Sequence, residues 1–262
     1  MASVSRPGTF PRAFLWSWAL LLGASAALQA KPVSFTGTGG ARIVGNFFPP
    51  AKPERLTVVL LHGVGSSKEE WDAFSLACRA EGLGLFAYDA RGHGESTGAA
   101  SGKKIDYRTF YSRGPDSEWG KMVGDLELAV QFLRKSRKID PSLIAIGGAS
   151  IGANIALRYA VNHPAIPCFF LLSPGVDYQG LTAGDAIQHY GNRRLLLAVS
   201  PGDLYAWRSA ELLKTLVQPA TSLTFLQQPP NSGHGVQMFR RTDPEKPSEL
   251  ESRILEWLSD QP

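Results

Sequence analysis

A succession of short, continuous apolar runs separated by amphipathic stretches constrains the fold of this chain more than any other feature. Thr57-Val58-Val59-Leu60-Leu61, Leu83-Gly84-Leu85-Phe86-Ala87-Tyr88, Leu143-Ile144-Ala145-Ile146, Cys168-Phe169-Phe170-Leu171-Leu172, Leu195-Leu196-Leu197-Ala198-Val199 and Ser222 to Leu226 lack the polar alternation of a half-exposed strand. Strands of that kind must be covered on both faces, as in a parallel sheet. The segments between them provide the cover. Helical periodicity is read over about Lys68 to Glu81, Lys121 to Lys135, Ala153 to Ala160, Leu204 to Val217 and Pro247 to Leu258. In the second of these Met122, Leu126, Val130 and Leu133 fall on one face; in the last, Leu250, Ile254, Trp257 and Leu258 do, and Pro247 suits a first helical turn. Upstream, Val33 to Phe35 and Ala41 to Phe48 read as a hairpin joined through Gly37-Thr38-Gly39-Gly40. The expectation is an α/β chain with a mostly parallel central sheet and helices on both faces.

In open sheets of this kind ligands bind beyond the carboxyl ends of the strands. The loops after residues 61, 88, 149, 172, 199 and 226 are therefore the places to look for chemistry. After Ala149, Gly148-Ala149-Ser150-Ile151-Gly152 joins a strand to a helix, a turn that lifts a serine hydroxyl above the sheet edge. The bare Gly-x-Ser-x-Gly pattern is common, and its strand–turn–helix setting is what gives it weight. Leu61 is followed by His62-Gly63-Val64-Gly65, a turn able to aim a backbone N–H into the same space. Val64 and Ile151 are the expected main-chain donors to an oxyanion. Ser200-Pro201-Gly202-Asp203 places a carboxylate past the next strand, and Gly233-His234-Gly235 delivers an imidazole after the last. A serine hydroxyl needs a base to remove its proton as it attacks, and the base needs an orienting acid. Ser150, His234 and Asp203 are the candidates. Asp203 could instead cap the helix starting near Leu204, with Asp177 or Asp185 as the acid.

Together with Tyr88-Asp89-Ala90-Arg91-Gly92-His93-Gly94-Glu95-Ser96, these motifs resemble those of the α/β-hydrolase family, across nearly everything from residue 33 onward. The Asp-x-Arg-Gly-His-Gly-x-Ser stretch is similar to that of esterases, monoacylglycerol-lipase-like and prolyl-peptidase-like members. The resemblance implies serine hydrolase chemistry on a Ser-Asp-His triad, with Asp89 and His93 in a structural turn beside the site. It also implies little or no cap domain, because Pro174 to Arg194, where relatives often insert one, is short. The irregular stretch from Gly92 to Gly120, with Tyr107, Phe110, Tyr111 and Trp119, is the alternative cover. His62 is expected to be structural, His163 a helix-end feature, and Trp71, Trp119 and Trp207 core or pocket wall.

The first thirty residues read as a leader. Arg6 and Arg12 precede the apolar run from Ala13 to Leu22, and small residues follow, with no acid among them. That is the layout of a secretory signal peptide, with cleavage expected after Ala26 or Ala30 and a single catalytic domain over 31–262. An uncleaved anchor is the alternative, although the run is short for a span of about 20 residues. No cysteine precedes Cys78, which excludes a lipidated N-terminal cysteine. Over the full chain of 262 residues the formal charge is +4, and removing the leader would lower it by two. So small a balance gives no reason to expect a nucleic-acid or anionic-membrane partner. Cys78 and Cys168 read as buried hydrophobes rather than a disulfide or a nucleophile. No metal-ligand spacing is present, no cofactor is expected, and the partner is a small-molecule acyl substrate. The expected activity is exported carboxylic-ester hydrolysis through an acyl-enzyme. Amide or thioester hydrolysis, acyl transfer and perhydrolysis on the same residues are alternatives, as is a non-catalytic binding protein of the same fold.

Overall fold

A computed structural model of the chain describes residues 31–260, so the expected leader lies outside the described residues. The strands are β1 (Lys31–Thr36), β2 (Ala41–Phe48), β3 (Thr57–Leu61), β4 (Gly84–Tyr88), β5 (Gly98–Ala99), β6 (Ile144–Ala149), β7 (Cys168–Leu172), β8 (Asp177–Tyr178), β9 (Leu181–Thr182), β10 (Arg194–Val199) and β11 (Ser222–Gln227). The helices are α1 (Asp72–Ala80), α2 (Lys121–Arg137), α3 (Ile151–Ala160), α4 (Gly184–Gln188), α5 (Leu204–Leu216) and α6 (Glu249–Ser259). The main sheet runs β1-β2-β4-β3-β6-β7-β10-β11, with β5 pairing β2. From β4 to β11 every pairing is parallel; β1, β4 and β5 each meet β2 antiparallel. The mostly parallel sheet expected of an α/β-hydrolase is therefore present.

Side chains alternate across each strand, and both faces are sealed. In β3, Val59 and Leu61 enter one apolar layer with α2 and α3, while Val58 and Leu60 enter the other with α1 and α6. Trp71, Phe74, Phe170 and Phe239 interlock in the second layer at centroid separations of 5.2 to 6.2 Å. Each such ring withdrawn from water is worth about 1.5–3 kcal/mol. Cys78 and Cys168 are free and buried in that same layer.

Two local readings need correction. The Lys68-to-Glu81 helix opens as a 3-10 turn over Lys68–Trp71 and becomes α-helical only at Asp72. Pro247 lies outside α6 rather than in its first turn. Ser248 is the N-cap, accepting from Glu251 N–H while the Glu251 side chain accepts from Ser248 N–H. This reciprocal pair satisfies two donors, which a proline at that position does not supply. The short segment after Pro174 also has structure of its own: the β8–β9 ribbon and α4, with Leu181 and Ile187 buried against the core.

Candidate active site

Ser150 occupies the β6–α3 turn at φ 56° and ψ −124°, a left-handed conformation that costs a non-glycine residue about 1–3 kcal/mol. The turn is forced by close packing. A Cβ on Gly152 would lie 2.3 Å from the carbonyl oxygen of Leu61, so only glycine lets α3 sit this near β3. Ser150 N–H donates to Leu172 O at 2.9 Å, which ties the strained residue to the end of β7.

His234 stands in the loop after β11, and its Nδ1 lies 2.5 Å from Asp203 Oδ2. Asp203 is the N-cap residue of α5, yet its side chain makes no capping bond. Its carboxylate instead lies against the imidazole of His234. Asp177 accepts from Gly180 N–H at 2.7 Å, and Asp185, mostly exposed, lies beside His189. Neither of these carboxylates meets His234. The acid and histidine loops are also held together directly, by Ser200 Oγ donating to Pro229 O at 2.7 Å.

Ser150 and His234 line one open cleft of about 380 Å³, whose far wall is the Gly63–Ser66 turn and Glu70. No hydrogen bond joins Ser150 to His234 among the described residues; the Ser150 side chain meets the Tyr178 hydroxyl. Burial raises the Tyr178 phenol above its ordinary value, and the neighbouring Asp203 and Tyr205 add to the rise. Val64 N–H and Ile151 N–H donate to no partner among the described residues, while Gly63 N–H is taken by Glu70 Oε1 at 3.1 Å. Ile151 begins α3, where a free N–H is the rule.

The remaining histidines and charges hold the loops in place. His62 Nε2 accepts from Ala90 N–H at 2.8 Å, so its Nδ1 must carry the proton donated to Gly63 O at 2.7 Å. Burial lowers its pKa to about 4, which keeps the ring neutral. Asp89 takes Lys68 N–H, Lys68 Nζ and Glu95 N–H at 2.8 to 2.9 Å, pinning the turn after β3 to the turn after β4. His93 is buried and stacked on Tyr107 at 4.0 Å. Tyr107 in turn reaches over Gly65 at the cleft edge, whereas Tyr111, 87% exposed, projects into solvent. His163 stacks on Tyr159 past the end of α3, and Trp71 and Trp119 are buried.

Sequence reasoning did not find Tyr178, Ser173, Asn154 or Glu70. Ser173, at φ 51°, accepts twice: its Oγ takes Gly235 N–H at 2.9 Å and its carbonyl takes the Tyr178 hydroxyl at 3.3 Å. Asn154, one turn into α3, bonds Gly175 N–H and O and Leu181 O, which seats the β8–β9 ribbon beside the serine. The available signal was Ser173-Pro174-Gly175 directly after an apolar strand, the same loop position that elsewhere carried chemistry.

The sheet order, the strained serine between β6 and α3, and the paired acid and histidine after β10 and β11 are those of an α/β-hydrolase. Within that class the chain belongs to the family described as serine aminopeptidase, S33, whose profile matches residues 52–214. It is similar to a monoacylglycerol lipase of Mycolicibacterium smegmatis, 29% identical over 145 residues, covering 55% of this chain and 46% of the relative. It is also similar to the uncharacterized protein YfhR of Salmonella typhi, 28% identical over 140 residues, covering 52% of this chain and 41% of the relative. The matches thus span less than half the length of these curated relatives. Among solved structures it resembles a dienelactone hydrolase from Anabaena variabilis, with TM-score 0.68 and 22% identity over 88% of this chain and 97% of the other. An esterase from Pyrococcus furiosus gives TM-score 0.66 and 20% identity over 88% and 90%. At these identities the structural likeness concerns the fold.

Proposed function

We propose that the protein is an exported serine esterase that cleaves carboxylic esters through an acyl-enzyme. The observation that carries this reading is the Asp203–His234 contact at 2.5 Å on a histidine that shares its cleft with the strained Ser150. Rotation about the Ser150 Cα–Cβ bond exchanges Tyr178 for the imidazole as its partner, a change between staggered wells. His234 then takes the hydroxyl proton as Oγ attacks the ester carbonyl, and Asp203 holds the ring and stabilises the imidazolium. The carbonyl oxygen becomes anionic between the Val64 and Ile151 N–H groups, each worth about 10²–10³ in rate. Collapse expels the alkoxide, which receives the proton from His234. Water, deprotonated by the same ring, attacks the acyl-serine and releases the acid.

An ester rather than an amide is favoured by the similarity to a monoacylglycerol lipase. Export rests on the basic, apolar and small-residue succession from Arg6 to Ala30. Among the described residues no helix is long and apolar enough to cross a membrane. The test is turnover of a panel of acyl esters, acyl thioesters and aminoacyl anilides by purified protein beside Ser150→Ala. Ester turnover lost in the variant is the expected result. Turnover of anilides but not esters, or activity that survives the substitution, would overturn it.

A further inference from the structure

The turn after β3 presents consecutive backbone donors, and something must decide which of them faces the reaction. Glu70 Oε1 accepts Gly63 N–H at 3.1 Å, and the Ser66 side chain lies near the same carboxylate, so both ends of the turn face one group. The turn closes on itself through Ser66 N–H to Gly63 O at 3.2 Å, with Gly65 at φ 76°. The base beneath Glu70 is fixed. It sits in the Lys68–Trp71 3-10 turn, whose Lys68 is clamped to Asp89 and whose Trp71 is fully buried. Glu70 also lines the cleft that holds Ser150 and His234.

We infer that Glu70 is a positioning residue of the oxyanion turn: by occupying Gly63 N–H, it leaves Val64 N–H as the donor presented to the substrate oxygen. This deepens the esterase reading and rests on it. The carboxylate is needed for its reach and acceptor oxygen, not for its charge. A freed Gly63 N–H would let the turn slacken, and misplacing a donor by about 1 Å costs on the order of 10²-fold. Burial raises the Glu70 pKa, as suits a group enclosed by the turn it holds.

Three substitutions separate reach from charge. Glu70→Gln keeps an acceptor at the same distance and loses the charge. Glu70→Asp keeps the charge and falls short by one methylene, and Glu70→Ala loses both. The expected result is kcat within about fivefold of the parent for Gln, and a fall of about 30- to 100-fold for Asp and Ala with KM within about threefold. Asp at the parental rate, Gln no better than Ala, or a loss confined to KM overturns the inference. Should Ala fail to fold by circular dichroism, the Gln and Asp pair decides alone. Labelling with a serine-reactive fluorophosphonate runs in parallel. An unlabelled parent protein overturns the esterase reading and this inference with it; a labelled parent whose Asp variant turns over normally overturns only the latter.

Discussion

Gly202→Ala tests whether the acid and histidine loops are matched as closely as the structure draws them. A Cβ at residue 202 would lie 1.7 Å from the carbonyl oxygen of Pro230, against a floor of about 3.0 Å for real contacts. The two loops must therefore part by more than about 1 Å, and they carry Asp203 and His234, now 2.5 Å apart. Overpacking of this kind costs about 1–3 kcal/mol, which lowers Tm by about 2–12 °C in a domain of this size. The effect on turnover is larger, because displacement of about 1 Å costs on the order of 10²-fold and complete loss of the acid contact about 10⁴-fold. Gly98→Ala is the control, since no heavy atom lies within 4 Å of its added methyl. The assay pairs ester turnover at 25 °C with thermal unfolding. A Gly202→Ala protein that keeps parental kcat would refute the argument, as would a loss no greater than its unfolded fraction explains.

Asp203→Asn is expected to lower kcat by about 10⁴ with little change in KM, because the amide favours the wrong imidazole tautomer; steady-state kinetics within tenfold of the parent would contradict this. Asp125→Ala removes the buried partner of Arg91, whose Nε and Nη2 donate to that carboxylate at 2.7 and 2.6 Å, and leaves the guanidinium with Glu118 and the Thr38 carbonyl. Breaking a buried pair costs up to about 3–5 kcal/mol, and with Glu118 still opposite the guanidinium the fall in Tm is at most about 6–20 °C. His62 makes stability pH-dependent. Its folded pKa near 4 lies below the ordinary 6.5, so the unfolded chain binds the proton first. Its contribution is full above pH 6.5 and is lost as pH falls toward 4, amounting to about 3 kcal/mol. Urea unfolding at pH 7 and pH 4.5 should show the decline, and a shallower slope in His62→Gln; equal slopes would count against it.

The apolar runs made the sheet legible because strands covered on both faces have to be apolar along their buried length, as β6 and β7 are, and as β3 and β10 are beyond their first residues, Thr57 and Arg194. The candidate site was legible where hydrolase chemistry calls for a residue type at a strand end: the structure sets Asp203 against His234, and His234 in one cleft with Ser150. What escaped detection works through contacts between residues far apart in the chain. Tyr178 lies in a two-residue strand, too short for any periodicity, and reaches the serine only because Asn154 anchors its ribbon. Glu70 falls inside the stretch read as helix from about Lys68 to Glu81, and nothing local reveals that its turn is 3-10 or that Gly63 N–H is its partner. The misplacement of Pro247 has a local cause. Both a proline and a serine suit helix starts, and the reciprocal bonds of Ser248 with Glu251 decide between them.

The most direct measurement is the site of covalent attachment. The purified protein is treated with a fluorophosphonate, digested and mapped by mass spectrometry, beside Ser150→Ala and His234→Ala. The account predicts one phosphonylated serine, at position 150, no adduct in Ser150→Ala, and labelling slowed by at least about 10³-fold in His234→Ala. An adduct on another residue, or undiminished labelling without the imidazole, would contradict it.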